Sequence, residues 1–129
     1  MSRYIPESLR QFVTQRAEYY CEYCHSTSDE VFFPFQIDHI ISLKHGGSTT
    51  ADNLAYACFV CNNAKGSDIG TILFPDNTFT RLFNPRIDKW HEHFVIENGV
   101  FYSDTLIGKA TIKVLNLNDI ERIIERVEQ

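Results

Sequence analysis

The stretch Phe35-Gln36-Ile37-Asp38-His39-Ile40, followed by Gly46-Gly47-Ser48-Thr49, Asp52-Asn53-Leu54 and Cys58-Phe59-Val60-Cys61-Asn62-Asn63-Ala64-Lys65-Gly66, decides how the whole chain reads. An apolar run ends in an Asp-His pair. An asparagine sits in the middle of the loop that follows. A second asparagine comes directly after a Cys-x-x-Cys. Upstream, Cys21-Glu22-Tyr23-Cys24 supplies the matching cysteine pair.

All 4 cysteines of the chain fall in these two pairs. A two-residue gap lets both sulfurs reach one ion at about 2.3 Å, the usual Zn–S distance. In a reducing compartment such pairs read as metal ligands; two disulfides are the alternative in a secreted chain. A thioredoxin-like role needs one pair opening a helix after a strand, and two pairs argue against it. Cys21, Cys24, Cys58 and Cys61 are therefore the expected structural zinc ligands. They fill a tetrahedron, which leaves the adjacent His25 a bystander. Met1-Ser2-Arg3-Tyr4-Ile5-Pro6-Glu7 lacks the apolar core of a signal peptide. No apolar run approaches the ~20 residues of a membrane span. The expectation is a cytoplasmic protein with no membrane partner.

A length of 129 residues suits one domain with a modest core. The formal charge of −5 argues against bulk electrostatic attraction to nucleic acid. Four thiolates around one Zn²⁺ make the balance more negative still. If the chain acts on DNA, a catalytic metal and a local patch must do the holding.

Residues 6–20 read as a helix, with Pro6 in its first turn and Leu9, Phe12 and Val13 as one apolar stripe. Arg3, Arg10 and Arg16 give that end a positive bias, read as a solvated face. Residues 31–37 are strand-like and deliver Asp38 and His39 at their end, with Pro34 marking an edge or a bend. Residues 40–51 form a loop with Gly46-Gly47-Ser48-Thr49 as its mobile centre. Leu54–Ala57 make a second strand, and a helix runs from Asn62 to about Leu73, weakened by Gly66 and Gly70. Phe74-Pro75-Asp76-Asn77 ends it, and Thr78–Phe83 form a strand. Asn98-Gly99 between two apolar runs signals a hairpin. Residues 107–115 fit a helix or a strand equally. Asn118 caps a last helix, with Glu121 completing a capping box and Ile120, Ile123, Ile124 and Val127 as its buried stripe.

Phosphodiester hydrolysis needs a base for water, a counter-charge for the phosphate and stabilisation of the leaving oxygen. A histidine suits the first task near neutral pH. A divalent cation on oxygen ligands suits the others. Asp38 and Asn62 offer hard oxygen donors for Mg²⁺ or Mn²⁺, whereas the cysteines are soft donors for Zn²⁺.

In this order, Cys-x-x-Cys, Asp-His-Ile, a Gly-Gly loop, Asn-Leu, Cys-x-x-Cys-Asn and Lys-Gly resemble the HNH endonucleases over about residues 19–70. The resemblance implies an α+β fold. Its core is a small ββα-metal (His-Me finger) unit, with an N-terminal helix and a C-terminal hairpin plus helix. With no repeat, low-complexity segment or linker in the chain, the expectation is a single nuclease domain over 1–129, the extension from about 78 to 129 packed on that core. The resemblance implies an endodeoxyribonuclease that leaves 5′-phosphate and 3′-hydroxyl ends on duplex DNA. His39 would be the general base, Asp38 and Asn62 the catalytic-metal ligands, and Asn53 the residue that orients loop and base. The third motif position is Asn62 rather than His, a substitution common in the family. Phe83-Asn84-Pro85-Arg86 through Trp90 to His93-Phe94 also resembles the tail of one group of small bacterial HNH proteins.

Outside that set, His45 reads as a phosphate contact or a solvated loop residue. Lys65 reads as a phosphate contact or a cover for its helix. Arg81, Arg86 and Lys89 form the best basic patch, partly cancelled by Asp88. His91 and His93 read as surface or packing residues. The competing function is a catalytically silent, zinc-stapled nucleic-acid-binding module, which the acidic charge favours.

Overall fold

The computed structural model describes residues 4–27 and 33–128, which fall into two compact units, Met1–Ile69 and Gly70–Gln129. The described residues form a mixed α+β structure of four helices and small antiparallel sheets. Arg3, Val31 and Phe32, which entered the sequence expectations, lie outside the described residues.

In the first unit, helix α1 spans Glu7–Arg16. Pro6 is its N-cap, and the Pro6 carbonyl accepts from Leu9 and Arg10 N–H. A proline there sacrifices no donor, because the first N–H groups of a helix have no intrahelical partner. The helix stops short of the expected residue 20, because Glu18 and Tyr19 take left-handed backbone angles. Val13 is buried in a cluster with Ile5, Leu54 and Tyr56, flanked by Leu9 and Ala17. The buried row is thus 9, 13 and 17. Phe12, expected in the stripe, is 51% exposed and lies under the Arg16 guanidinium. Arg16 is a brace rather than a solvated cation: it donates to Ala51 O (2.9 Å) and Leu54 O (2.7 Å).

Strand β1 (Gln36–His39) pairs antiparallel with β2 (Leu54–Ala57), His39 opposite Leu54 and Asp38 opposite Ala55. Asp38 and His39 therefore belong to the strand itself. Every residue of β2 is buried. Helix α2 (Phe59–Lys65) follows, capped by Cys58. The expected helix to Leu73 is not formed. Gly66 takes φ +52° and closes α2 with its N–H on Asn62 O. A positive φ of this kind suits glycine, which has no Cβ to clash.

In the second unit, residues 70–73, expected to be helical, form strand β3 (Gly70–Leu73), paired with β4 (Thr78–Arg81). Strands β5 (Val95–Glu97) and β6 (Val100–Tyr102) form the expected hairpin. Asn98 and Gly99 both have positive φ, as a two-residue turn of matching twist demands. The undecided segment is helix α3 (Leu106–Val114), capped by Thr105, whose Oγ1 accepts from Gly108 N–H. Phe94 packs edge-on to Phe83 and Phe101, beside Trp90.

Helix α4 (Ile120–Val127) overturns two expectations. Its cap is Asp119, which accepts from Glu121 N–H. Asn118 instead spends its amide on both backbone groups of Phe101. The supposed buried stripe is solvent-facing at Ile120 (65%), Ile124 (47%) and Val127 (59%). The docked face carries arginines. Arg122 is buried and donates to Leu115 O, at the C-terminal end of α3 (2.7 Å). Arg126 donates to Gly99 O and lies over the Phe101 ring. The last carbonyls of a helix lack partners and carry partial negative charge, so a cation there competes well with burial of an aliphatic stripe.

Arg81 and Asp88 form a bidentate pair (2.7 and 2.8 Å), and Asp88 also accepts from Asn84 N–H. These bonds, Arg81 first, hold the Asp88 carboxyl below its ordinary range. A depressed carboxylate stabilises the folded state above the unfolded pKa of about 3.9, and that stabilisation is lost as pH falls through the lower folded value. The pair is partly exposed, so we expect Asp88→Asn to cost under about 1 kcal/mol at pH 7. The difference should shrink in urea titrations as pH falls below the unfolded carboxylate value of about 3.9 and through the lower folded one; an equal deficit at every pH would refute this.

Candidate metal centre and nuclease site

Each cysteine pair sits in the same local turn. Cys24 N–H points at Cys21 Sγ (3.5 Å), and Cys61 N–H at Cys58 Sγ (3.3 Å). Glu22 ties the first turn to β2: its N–H donates to Tyr56 O, and its carboxylate accepts from Tyr56 N–H. The two turns thereby converge. The four Sγ atoms lie within 4.8 Å of one another, and Cys24 and Cys58 are 3.7 Å apart. A zinc tetrahedron with 2.3 Å bonds has sulfur–sulfur edges of about 3.8 Å, so the cluster fits a zinc site. No disulfide joins any of the four, and all are buried. Burial pushes the Cys21 thiol well up, so its thiolate needs a cation beside it. His25 is exposed and outside the cluster.

Asp38 is 4% exposed. Its Oδ2 accepts from the Tyr23 hydroxyl (2.7 Å), and Lys65 Nζ lies 3.2 Å from Oδ1 and 3.1 Å from Oδ2. Burial raises the Asp38 carboxyl, opposed by Lys65 and then by Tyr23. Burial, reinforced by Asp38, holds the Tyr23 phenol well above its ordinary range, so it is the donor. The next residue, His39, is half-buried, and a hydrogen bond joins its Nε2 to Thr49 Oγ1 (2.9 Å).

The loop between β1 and β2 closes on Asn53. Asn53 Oδ1 accepts from Ile41 N–H (2.9 Å), and Nδ2 donates to Ile41 O (2.9 Å) and Ser48 O (2.8 Å). Gly47 allows this approach: a Cβ there would stand 1.7 Å from Ile41 O. We expect Asn53→Ala to destabilise the first unit by about 2–4 kcal/mol in urea unfolding, because three bonds are lost and their partners are left unsatisfied. A loss under about 1 kcal/mol would show that the loop is held elsewhere.

Asn62 is half-buried on α2, and its Nδ2 donates to Gln36 Oε1 on β1. Lys65, three residues on and on the same helix face, reaches Asp38 and His39 O (3.0 Å). The face of α2 that bears Asn62 thus lies along the strand that bears Asp38 and His39.

The HNH endonuclease family model matches residues 21–68, which span both cysteine pairs, the Asp-His pair, Asn53, Asn62 and Lys65. This stretch is an HNH domain. A relative of the chain is Septu protein PtuB from Bacillus thuringiensis, 26% identical over 106 residues, or 81% of this chain. The match spans 38% of that protein's length.

Within the HNH domain, His45 is exposed in a 3₁₀ turn, Leu43–His45. Lys65 is 1% exposed, its ammonium turned inward rather than offered to solvent. Arg81 and Arg86 lie in the second unit, Arg81 paired with Asp88 and Arg86 half-buried. Tyr23 and Thr49, which sequence reasoning did not single out, are the residues that bond Asp38 and His39. A tyrosine between two zinc-type cysteines and a threonine after two glycines carry no local signal of their partners. Among the described residues, no helix is long and apolar enough to cross a membrane.

Proposed function

We propose that this HNH domain is a metal-dependent endonuclease that hydrolyses phosphodiester bonds of duplex DNA. The observation that carries the reading is the placing of His39 beside Asp38 on β1, its ring bonded to Thr49, with the Asn62 face of α2 along the same strand. His39 takes the proton of the attacking water. Thr49 fixes the ring nitrogen it bonds, and Asn53 fixes the loop that carries Thr49, so the imidazole meets water in one orientation.

Asp38 and Asn62 would hold a divalent cation. Their donors are hard oxygens, and a carboxylate with four lone-pair sites can accept from Tyr23 and Lys65 and still bind a metal. When bound, Mg²⁺ or Mn²⁺ would supply charge neutralisation at the phosphate and at the leaving oxygen. The four cysteines would hold a structural Zn²⁺ that makes folding of this small unit possible. Thiol ligands of this kind persist in a reducing cytosol, which we take as its location. His45 at the loop surface, and Arg81 and Arg86 in the second unit, would contact the DNA backbone.

Plasmid nicking in Mg²⁺ or Mn²⁺, with His39→Ala as the control, tests this reading. The charge of −5, together with the engagement of both Asp38 oxygens by protein donors, favours the rival, a zinc-stapled nucleic-acid-binding module. The rival predicts binding to labelled duplex with no nicking in either metal.

A further inference from the structure

Three buried side chains from three separate segments meet at Asp38. Tyr23 (0% exposed) comes from the first cysteine turn, Asp38 (4%) from β1 and Lys65 (1%) from the last turn of α2. Tyr23 lies between Cys21 and Cys24, and Lys65 follows Cys61 by one helical turn. Each cysteine pair therefore extends one polar arm to the same dipeptide. The Tyr23 hydroxyl holds Asp38 Oδ2, and Lys65 holds Asp38 Oδ1 and the His39 carbonyl. A buried ammonium is costly unless each of its donors is matched, so a lysine at 1% exposure is there for these partners and not for a solvent phosphate.

We propose that Tyr23 and Lys65 are positioning residues, which transmit the geometry of the four-cysteine cluster to Asp38 and His39 and so set the aim of both groups. The proposal rests on the nuclease reading above. Its physical basis is that a ligating carboxylate is oriented by the hydrogen bonds behind it, and that reacting constellations tolerate only about 0.5 Å of error. Tyr23 fixes one Asp38 oxygen, which presents the remaining lone pairs in one direction. Lys65 pins the β1 backbone at His39 and so sets where its ring begins.

Tyr23→Phe deletes one oxygen, and Lys65→Gln deletes the charge. Both are prepared as the zinc-loaded full chain, with zinc content and thermal melting recorded first. Plasmid nicking then gives kcat and KM for DNA. A Mn²⁺ titration followed by broadening of the His39 ring resonances gives a metal midpoint that needs no turnover. The expected result is a kcat about 10–100-fold lower and a Mn²⁺ midpoint about 10-fold higher, with KM for DNA within about 2-fold of wild type. A merely structural role lowers the melting temperature but leaves kcat per zinc-loaded molecule and the Mn²⁺ midpoint at wild-type values, which overturns the proposal. If both variants nick like wild type while His39→Ala is inactive, positioning fails and the nuclease reading stands. If wild type does not nick, the nuclease reading fails, and the Mn²⁺ midpoint alone decides: a shift upholds positioning, and no shift or no Mn²⁺ response overturns it. If Tyr23→Phe fails to retain zinc, Lys65→Gln decides by the same readouts.

Discussion

Cys61→Ser, or exhaustive chelation of the wild-type protein, should unfold the Met1–Ile69 unit. Cys61 is fully buried, and its sulfur shares one cluster with Cys21, Cys24 and Cys58. That cluster draws together the chain before β1 and the start of α2. Structural zinc contributes about 10–16 kcal/mol of apparent folding free energy in small metal domains. A whole domain nets only about 5–15 kcal/mol, so a zinc ion held by this cluster would decide whether the unit folds. Elemental analysis of wild type should find about one zinc per chain, and Cys61→Ser should retain far less. Chelation should abolish the cooperative thermal transition of the first unit. A zinc-free protein with wild-type melting would refute the zinc assignment.

The second large effect falls on chemistry. His39→Ala should reduce metal-dependent plasmid nicking by about 10²–10⁴-fold, the usual contribution of a positioned base. Its effect on stability should be small. His39 is half-buried, and its ring bond to Thr49 is worth about 1 kcal/mol. Zinc content should not change, because His39 lies outside the cysteine cluster. The separation of the two readouts is the test. Equal nicking by wild type and variant in Mg²⁺ or Mn²⁺ would remove His39 as the base. Inactivity of both, with zinc bound and duplex retained, would favour the binding module.

Local chemistry made much of this legible in advance. Asn98-Gly99 specified a tight turn because both residues tolerate positive φ, and the hairpin follows. Leu54–Ala57 read as a strand and is one. Gly66 carried the warning that α2 would stop, although the expectation let the helix run on to Leu73. Residues 107–115 were undecided because a short apolar run has no periodicity of its own; Thr105 as a cap on Gly108 settled it. The α4 stripe misled for a different reason. Spacing shows which residues share a face, but not which face docks, and here Arg122 and Arg126 found backbone carbonyls and an aromatic ring.

The sequence by itself determined the donor inventory: two soft cysteine pairs at zinc spacing, one Asp-His pair, and asparagines after the glycine loop and after the second cysteine pair. Residue type and short spacing suffice for that, since ligand chemistry belongs to the side chain and a two-residue gap sets its reach. Only the tertiary structure decided where each polar group spends its bonds. Lys65 turns inward to Asp38 and His39 O, Tyr23 reaches Asp38 from a turn 15 residues away, and Thr49 meets the His39 ring. These partners are distant in sequence and are joined by burial. A desolvated ammonium, carboxylate or phenol must be matched wherever the packed chain brings a partner, and no local pattern encodes that encounter.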